Sequence, residues 1–203
     1  MIKMVIFDLD GVLVDAREIH YEALNAALTD IDEKYVIGRQ EHLSLYDGLS
    51  TTKKLKMLTK NKGLPEELHN AVWKLKQEKT IKIIDAFDVD KRICQILRKL
   101  KSEGFAVACA TNSIRKTAKL QLIRKGFFEH IDFLYSNQDV TKPKPSSEIY
   151  MRCMLRANVD PHETVIVEDS HHGRKAAINS GGHLCAVKNS SDVTYEKIKE
   201  LIN

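Results

Sequence analysis

The 203-residue chain is 43% hydrophobic and 30% charged, with a formal net charge of +4. That balance suits one soluble globular domain, or one domain with an insertion. The charge fits anionic small molecules but is too weak to indicate nucleic acid, and no apolar run approaches the ~20 residues of a membrane span.

The N-terminal MIKMVIFDLD has no small-residue cleavage site and reaches aspartate too early for a signal peptide. Cys94, Cys109, Cys153 and Cys185 form no C-x-x-C pair and sit in apolar segments. A cytoplasmic protein with reduced, buried thiols is expected. In chain order, residues 2–8 read as a buried strand. From Ala16 to Leu28 the pattern is helical, with Ile19, Ala23, Ala27 and Leu24, Leu28 spaced by four. Helices follow over 51–61, stopped by Gly63, and over 66–82, with Pro65 near the start. A further helix over 91–102 aligns Ile93, Ile96, Leu97 and Leu100 and ends at Gly104. Next come a strand (105–110), a helix (115–125), a strand (131–134), a helix (147–157) and a strand (164–167). A helix (172–180), a last strand (184–187) and a terminal helix (194–202) complete the chain.

Strands alternating with helices predict an α/β fold: a Rossmann-like parallel sheet with helices on both faces. The first two strands lie about ninety residues apart, far beyond an ordinary crossover. That excess is mostly helical, so residues 16–85 are expected to form an inserted all-α cap on a core of 1–15 and 86–203. Ligands of such sheets bind beyond the carboxyl ends of the strands.

Those ends carry the polar residues. The first strand runs into Asp8-Leu9-Asp10-Gly11, the second into Thr111-Asn112-Ser113, the fourth into Glu168-Asp169-Ser170. Lys142-Pro143-Lys144-Pro145 precedes the 147–157 helix. Each has a plain reading: an Asp-Gly turn, a helix cap at Thr111, a polyproline spacer or SH3-type ligand, a solvated acidic turn. Their convergence on one edge of the sheet argues for a site instead. Asp8 and Asp10 would face the same way along a continued strand, and like charges there repel unless a cation or a proton lies between them.

DLDGVLVD, TNS, KPKPSSEIY and EDSHHGRKAAINSGG resemble, in order and rough spacing, the four motifs of the haloacid dehalogenase (HAD) superfamily. The likeness is to its phosphoglucomutase-like and phosphatase branch, with a helical cap after the first strand. The resemblance implies a Mg²⁺ ion held by Asp8, Asp169 and the Asp10 carbonyl, with Glu168 assisting directly or through water. It implies Asp8 as the nucleophile that forms an aspartyl-phosphate and Asp10 as the general acid and base. Gly11 would let the backbone approach the phosphoryl group. Thr111 and the backbone around Asn112 would bind its oxygens, and Lys142 would neutralise developing charge. Lys142 fits the family's Lys-Pro-x-Pro pattern better than Lys144. Asp10 points to phosphate esters, since dehalogenase and phosphonate-cleaving relatives lack that second aspartate.

The cap would exclude water and select the substrate, hinged near 14–17 and 84–88. Its stretch GLSTTKKLKMLTKNKGLP holds five lysines and no acid. A solvated face explains most of them, while Lys53 or Lys54 could reach a distal anionic group. His20 and Lys82 resemble cap residues of sugar-phosphate mutases, although His20 equally suits packing against Leu24 and Ala27. Thr51 stands where those mutases carry an arginine for the second phosphate, which weakens the mutase reading. His171 and His172 lack metal-ligand spacing. The expected function is a Mg²⁺-dependent phosphatase of a small phosphorylated metabolite, a monomer or weak dimer with no nucleic-acid or membrane partner. A β-phosphoglucomutase-like mutase is the alternative. A non-catalytic binding protein with a vestigial site is disfavoured, because every catalytic residue type is present.

Overall fold

The computed structural model describes residues 1–46 and 49–202. Its centre is β1 (Met4–Phe7), a run of four buried apolar residues. β2 (Ala106–Ala110), β3 (Phe133–Tyr135), β4 (Thr164–Glu168) and β5 (His183–Ala186) complete a five-stranded sheet in the order β3-β2-β1-β4-β5. Every pairing is parallel, with Phe7 opposite Cys109 on one side and Val167 on the other. The α/β expectation holds. β1 through β3 build outward in one direction and β4–β5 in the other, so the order reverses at β1. The crevice of such a sheet opens at this switch point, where Asp8 leaves β1 and Glu168-Asp169 leaves β4.

Side-chain alternation assigns the two faces. Met4, Ile6, Ala108, Ala110 and Ile166 pack with Ile149, Tyr150, Cys153 and Met154 of α7 (Glu148–Ala157) and Ala176 and Ala177 of α8 (His171–Asn179). Val5, Phe7, Val107, Val165 and Val167 point the other way and are equally buried. α5 (Lys91–Ser102) packs on β2, α6 (Arg115–Arg124) on β3, and α9 (Tyr195–Ile202) on β4 and β5. β4 starts at Thr164 as expected, and the other strands start one or two residues off the expected positions because backbone pairing, not apolarity, sets their ends. Asp132, for example, both donates its N–H to the Val107 carbonyl (2.8 Å) and accepts the Val107 N–H on its carboxylate (2.8 Å). The ladder of β3 therefore begins at Phe133.

The chain divides into two compact units, Met1–Asp15 with Phe87 onward, and Ala16–Ala86. The second is helical. α1 (Arg17–Thr29) packs on α4 (His69–Asp85), and α3 (Thr51–Lys62) closes a core of Leu24, Leu28, Tyr35, Ile37, Tyr46, Leu58 and Val72. Between α1 and α3 lie a tight turn over Glu33–Tyr35, one helical turn (α2, Arg39–Glu41) and a wide turn over His42–Tyr46. Asn25 pins this connection: its side chain donates to the Ile37 carbonyl (2.8 Å) and accepts the Ile37 N–H (2.9 Å). The helix expected over 66–82 instead begins with a tight turn at Glu66–Leu68 and becomes regular only at His69. Gly48, which opens the lysine-rich stretch, lies outside the described residues. Among the described residues no helix is long and apolar enough to cross a membrane. All four cysteines are free and buried, and burial pushes the Cys109 thiol well up.

Candidate active site

Asp8 continues the β1 ladder, its N–H bonded to the Val167 carbonyl at 3.0 Å. The chain then turns sharply, with the Leu9 carbonyl accepting from Val12, Leu13 and Val14. Gly11 sits at φ +96°, and a Cβ there would lie 2.2 Å from Asp169 Oδ2. Only glycine lets the turn pass this close to the β4 carboxylate. Gly173 plays the same part for Glu168: a Cβ would lie 1.7 Å from Oε1.

The lysine of the site is Lys144, not Lys142. Lys144 Nζ donates to Asp8 Oδ1 at 2.6 Å and to Glu168 Oε1 at 2.7 Å, in a cluster whose side chains are 3%, 9% and 0% exposed. Lys142 is exposed, and its backbone N–H is what is held, by Glu148 Oε2 at 2.9 Å. From Lys142 the sequence reads Lys-Pro-x-Pro; from Lys144 it reads Lys-Pro-Ser-Ser. Backbone anchoring overrides that pattern. Asn112 Oδ1 accepts the Lys144 N–H (3.0 Å) and Asn112 Nδ2 donates to the Lys144 carbonyl (3.2 Å). This grip turns Lys144 inward. It also engages the Asn112 side chain with the Lys144 main chain, which leaves the phosphate contact expected of this residue to its backbone.

Glu148 completes the loop's mooring. It accepts the Thr141 N–H at 3.0 Å and a fork from Arg152 at 2.8–2.9 Å. The Thr141 and Lys142 amides, then Arg152, hold its carboxyl down at about 2. A carboxyl lowered in the folded state stabilises above its unfolded value near 4.5, and that contribution disappears as pH falls through about 2. Glu148→Ala is therefore expected to loosen the loop and slow turnover ten- to a hundredfold, the order of magnitude of an ångström-scale misplacement. A steady-state assay beside the unmutated protein checks this.

Asp10 is half-buried. Ser113 Oγ donates to its Oδ2, and Gln121 Nε2 lies 3.5 Å from its Oδ1. Thr111 is buried, its N–H on the Tyr135 carbonyl and its hydroxyl oxygen accepting the Ser113 N–H, both at 3.0 Å. Oxygens of Asp8, Glu168 and Asp169 come within 4.8 Å of one another. An all-oxygen donor set converging on one point, with Gly11 leaving room beside it, fits a hard divalent cation such as Mg²⁺.

Electrostatics separate the three charged groups of the cluster. Burial would depress Lys144, but Asp8, Tyr150 and Glu168 outweigh it and hold the ammonium well above the usual lysine range. Burial would raise Glu168, but Lys144 keeps it below the ordinary carboxyl value. Asp8 goes the other way: burial pushes it well up, Lys144 only partly opposes this, and Glu168 and Asp10 raise it further. Asp8 is thus the carboxylate whose charge calls for additional positive charge.

Ser113 lies within TNS and Tyr150 within KPKPSSEIY, but the motif match gave neither side chain a role; Gln121 lies outside all four motifs. In the helical unit, Lys53 and Lys82 are exposed, whereas Lys54 and Lys76 are buried. Lys76 Nζ, rather than Lys82, lies 3.4 Å from His20 Nδ1. Lys76 sits one turn and a half before Lys82 on α4, on the face turned inward.

Residues 5–187 match the family model described as haloacid dehalogenase-like hydrolase. The chain belongs to the haloacid dehalogenase-like hydrolases. Among curated family members it is 26% identical, over 179 residues, to the phosphorylated carbohydrates phosphatase of Thermotoga maritima, covering 88% of this chain and 82% of that one. Pyrophosphatase PpaX of Bacillus cereus is 25% identical over 187 residues, covering 92% and 83%. Among solved structures, β-phosphoglucomutase from Clostridium difficile shares the fold, with a TM-score of 0.80 at 24% identity and coverage of 100% and 98%.

Proposed function

We propose that this hydrolase is a Mg²⁺-dependent phosphatase of a small phosphorylated metabolite. The observation that carries the proposal is the buried Lys144 ammonium seated on Asp8 at the switch point, two residues before a second aspartate held by Ser113. The names of the phosphatase and pyrophosphatase relatives support the same chemistry.

In this reading Asp8 attacks the substrate phosphorus. An oxygen–phosphorus bond forms to Asp8 as the bond to the leaving oxygen breaks, and Asp10 gives that oxygen its proton. Asp10 then takes a proton from water, which attacks the aspartyl-phosphate, releasing inorganic phosphate and restoring Asp8. Lys144 neutralises charge on the phosphoryl oxygens throughout, and the Asn112 N–H would bind them, the Thr111 and Ser113 amides being engaged by the Tyr135 carbonyl and the Thr111 hydroxyl. Mg²⁺, held by Asp8, Asp169 and the Asp10 carbonyl, would supply charge neutralisation and alignment of the phosphoryl group, with Glu168, whose oxygens already take four donors, helping by fixing Lys144 rather than as a ligand.

Hydrolysis of an aryl phosphate is expected to require Mg²⁺ and to stop on chelation, with Ca²⁺ inhibiting because its looser coordination misplaces the nucleophile. The apparent Mg²⁺ affinity should weaken as pH falls, since the raised Asp8 carboxyl must lose its proton to bind a cation. Full turnover in excess EDTA would refute the metal assignment.

The resemblance of His20 and Lys82 to cap residues of sugar-phosphate mutases motivates a second reading, a mutase, which Thr51 in place of their arginine weakens. Both activities begin with the same aspartyl-phosphate and differ in whether water or a sugar hydroxyl accepts the phosphoryl group. A time course with glucose 1-phosphate and a trace of its 1,6-bisphosphate separates them. Free phosphate without glucose 6-phosphate supports the phosphatase; isomerisation with little free phosphate supports the mutase.

A further inference from the structure

Glu168 has an unusual set of partners for a carboxylate beside a metal site. It is wholly buried, and each of its oxygens already has two donors. Oε1 accepts from Lys144 Nζ at 2.7 Å and from the Tyr150 hydroxyl at 2.9 Å. Oε2 accepts from the Ser170 N–H at 3.0 Å and the Ser170 hydroxyl at 3.1 Å. A carboxylate offers about four lone-pair sites, so this one is saturated. Tyr150 does a second thing: the Lys144 ammonium lies 4.8 Å from the centre of its ring, within cation–π range. Tyr150 is itself fully buried on α7, six residues beyond Lys144.

We propose that Tyr150 is a positioning residue of the phosphoryl site: its hydroxyl completes the donor set of Glu168 while its ring flanks the ammonium, so that Lys144 stays aimed at Asp8. Glu168 then acts on the reaction chiefly through Lys144. The reason is competition. The ammonium is shared between Asp8 and Glu168, two carboxylates at nearly equal distance. The hydroxyl satisfies part of Glu168 Oε1 and so limits its pull. Without it, Glu168 is short one donor in a buried site, and an unsatisfied buried carboxylate draws the nearest mobile donor, which is Lys144. A phenylalanine there would fill the same volume and leave the apolar packing of α7 on the sheet unchanged.

The inference rests on the phosphatase reading, but its test does not depend on turnover. In metal-free protein, proton exchange of the Lys144 ammonium is followed by nitrogen-15 NMR. Tyr150→Phe is expected to speed that exchange about tenfold, because an ammonium drawn toward Glu168 gives up its bond to Asp8, and about tenfold is the scale of one charge-assisted hydrogen bond. The melting temperature in EDTA should stay within a few degrees of the unmutated protein. At saturating Mg²⁺, kcat for an aryl phosphate should fall about tenfold with KM within about twofold, because ground-state binding is retained. Exchange within about twofold of the unmutated protein would overturn the proposal, whatever the activity. Should the variant not fold, the unmutated protein still decides it: a slowly exchanging Tyr150 hydroxyl proton is expected, and a freely exchanging one overturns the proposal. An unmutated protein with a protected Lys144 but no phosphatase activity would refute the phosphatase reading alone.

Discussion

Lys144→Met is expected to abolish most activity and to destabilise the metal-free protein, while Lys142→Ala changes neither. The buried cluster holds one ammonium between two carboxylates, and none of its three side chains is more than 9% exposed. Removing the cation leaves Asp8 and Glu168 facing each other without compensation, a loss of about 3–5 kcal/mol for a broken buried pair. At roughly 2–4 °C per kcal/mol for a chain of this size, the melting temperature should fall by about 10 °C. Mg²⁺ should restore part of that loss, since a cation replaces a cation. Activity will not recover, because the charge that faces the phosphoryl oxygens is gone; a fall of about 10²–10³-fold is the scale of one such group. Lys142, exposed and held through its backbone N–H, should stay within about 0.5 kcal/mol of the unmutated protein. Thermal melts with and without Mg²⁺, run beside an aryl phosphate assay, test both. Inactivation by Lys142→Ala with a silent Lys144→Met would reverse the assignment.

Asp8→Asn is expected to reduce turnover by about 10⁴-fold or more, because an amide neither attacks phosphorus nor carries the charge the site is built around. Its effect on stability should be the opposite of the usual loss. Burial, with Glu168 and Asp10, raises the Asp8 carboxyl well above its ordinary value although Lys144 opposes this, so its charge costs more in the folded protein than in the unfolded chain. A folded-state carboxyl raised in this way makes the protein less stable above the unfolded value, and stability returns as pH falls through the folded one. A neutral side chain of the same shape removes that cost. At neutral pH and without metal, the variant should melt at or above the temperature of the unmutated protein. The stabilisation by Mg²⁺ seen in the unmutated protein should be largely absent. Retained turnover would refute the covalent mechanism, and a large metal-free destabilisation would refute the reading of Asp8 as the electrostatically disfavoured carboxylate.

Much of the architecture was legible from local pattern alone. Apolar runs such as MVIF and AVACA are short, continuous and flanked by polar turns, as buried parallel strands must be, and the period-four spacing along residues 19–28 and 93–100 marks helix faces. The convergence of Asp8, Asp10, Thr111, Glu168 and Asp169 was also legible, because strand order in a parallel sheet sends every strand's end to the same edge. What the sequence misassigned or left open are choices between near-equivalent neighbours: the pattern favoured Lys142 over Lys144, left Lys53 and Lys54 open, and pointed to Lys82 rather than Lys76. Lys142 and Lys144 both precede proline, Lys53 and Lys54 are adjacent, and Lys76 and Lys82 lie on one helix. Chemistry and spacing do not separate the members of these pairs correctly. Only the tertiary structure does, through contacts remote in sequence. Asn112 grips the backbone of Lys144 from 32 residues away and turns its side chain inward. Tyr150 reaches Glu168 from 18 residues away only once α7 lies on this face of the sheet. Residue type and local periodicity determined which groups the edge would present. Burial and long-range hydrogen bonds, which no local pattern encodes, decided which lysine meets Asp8.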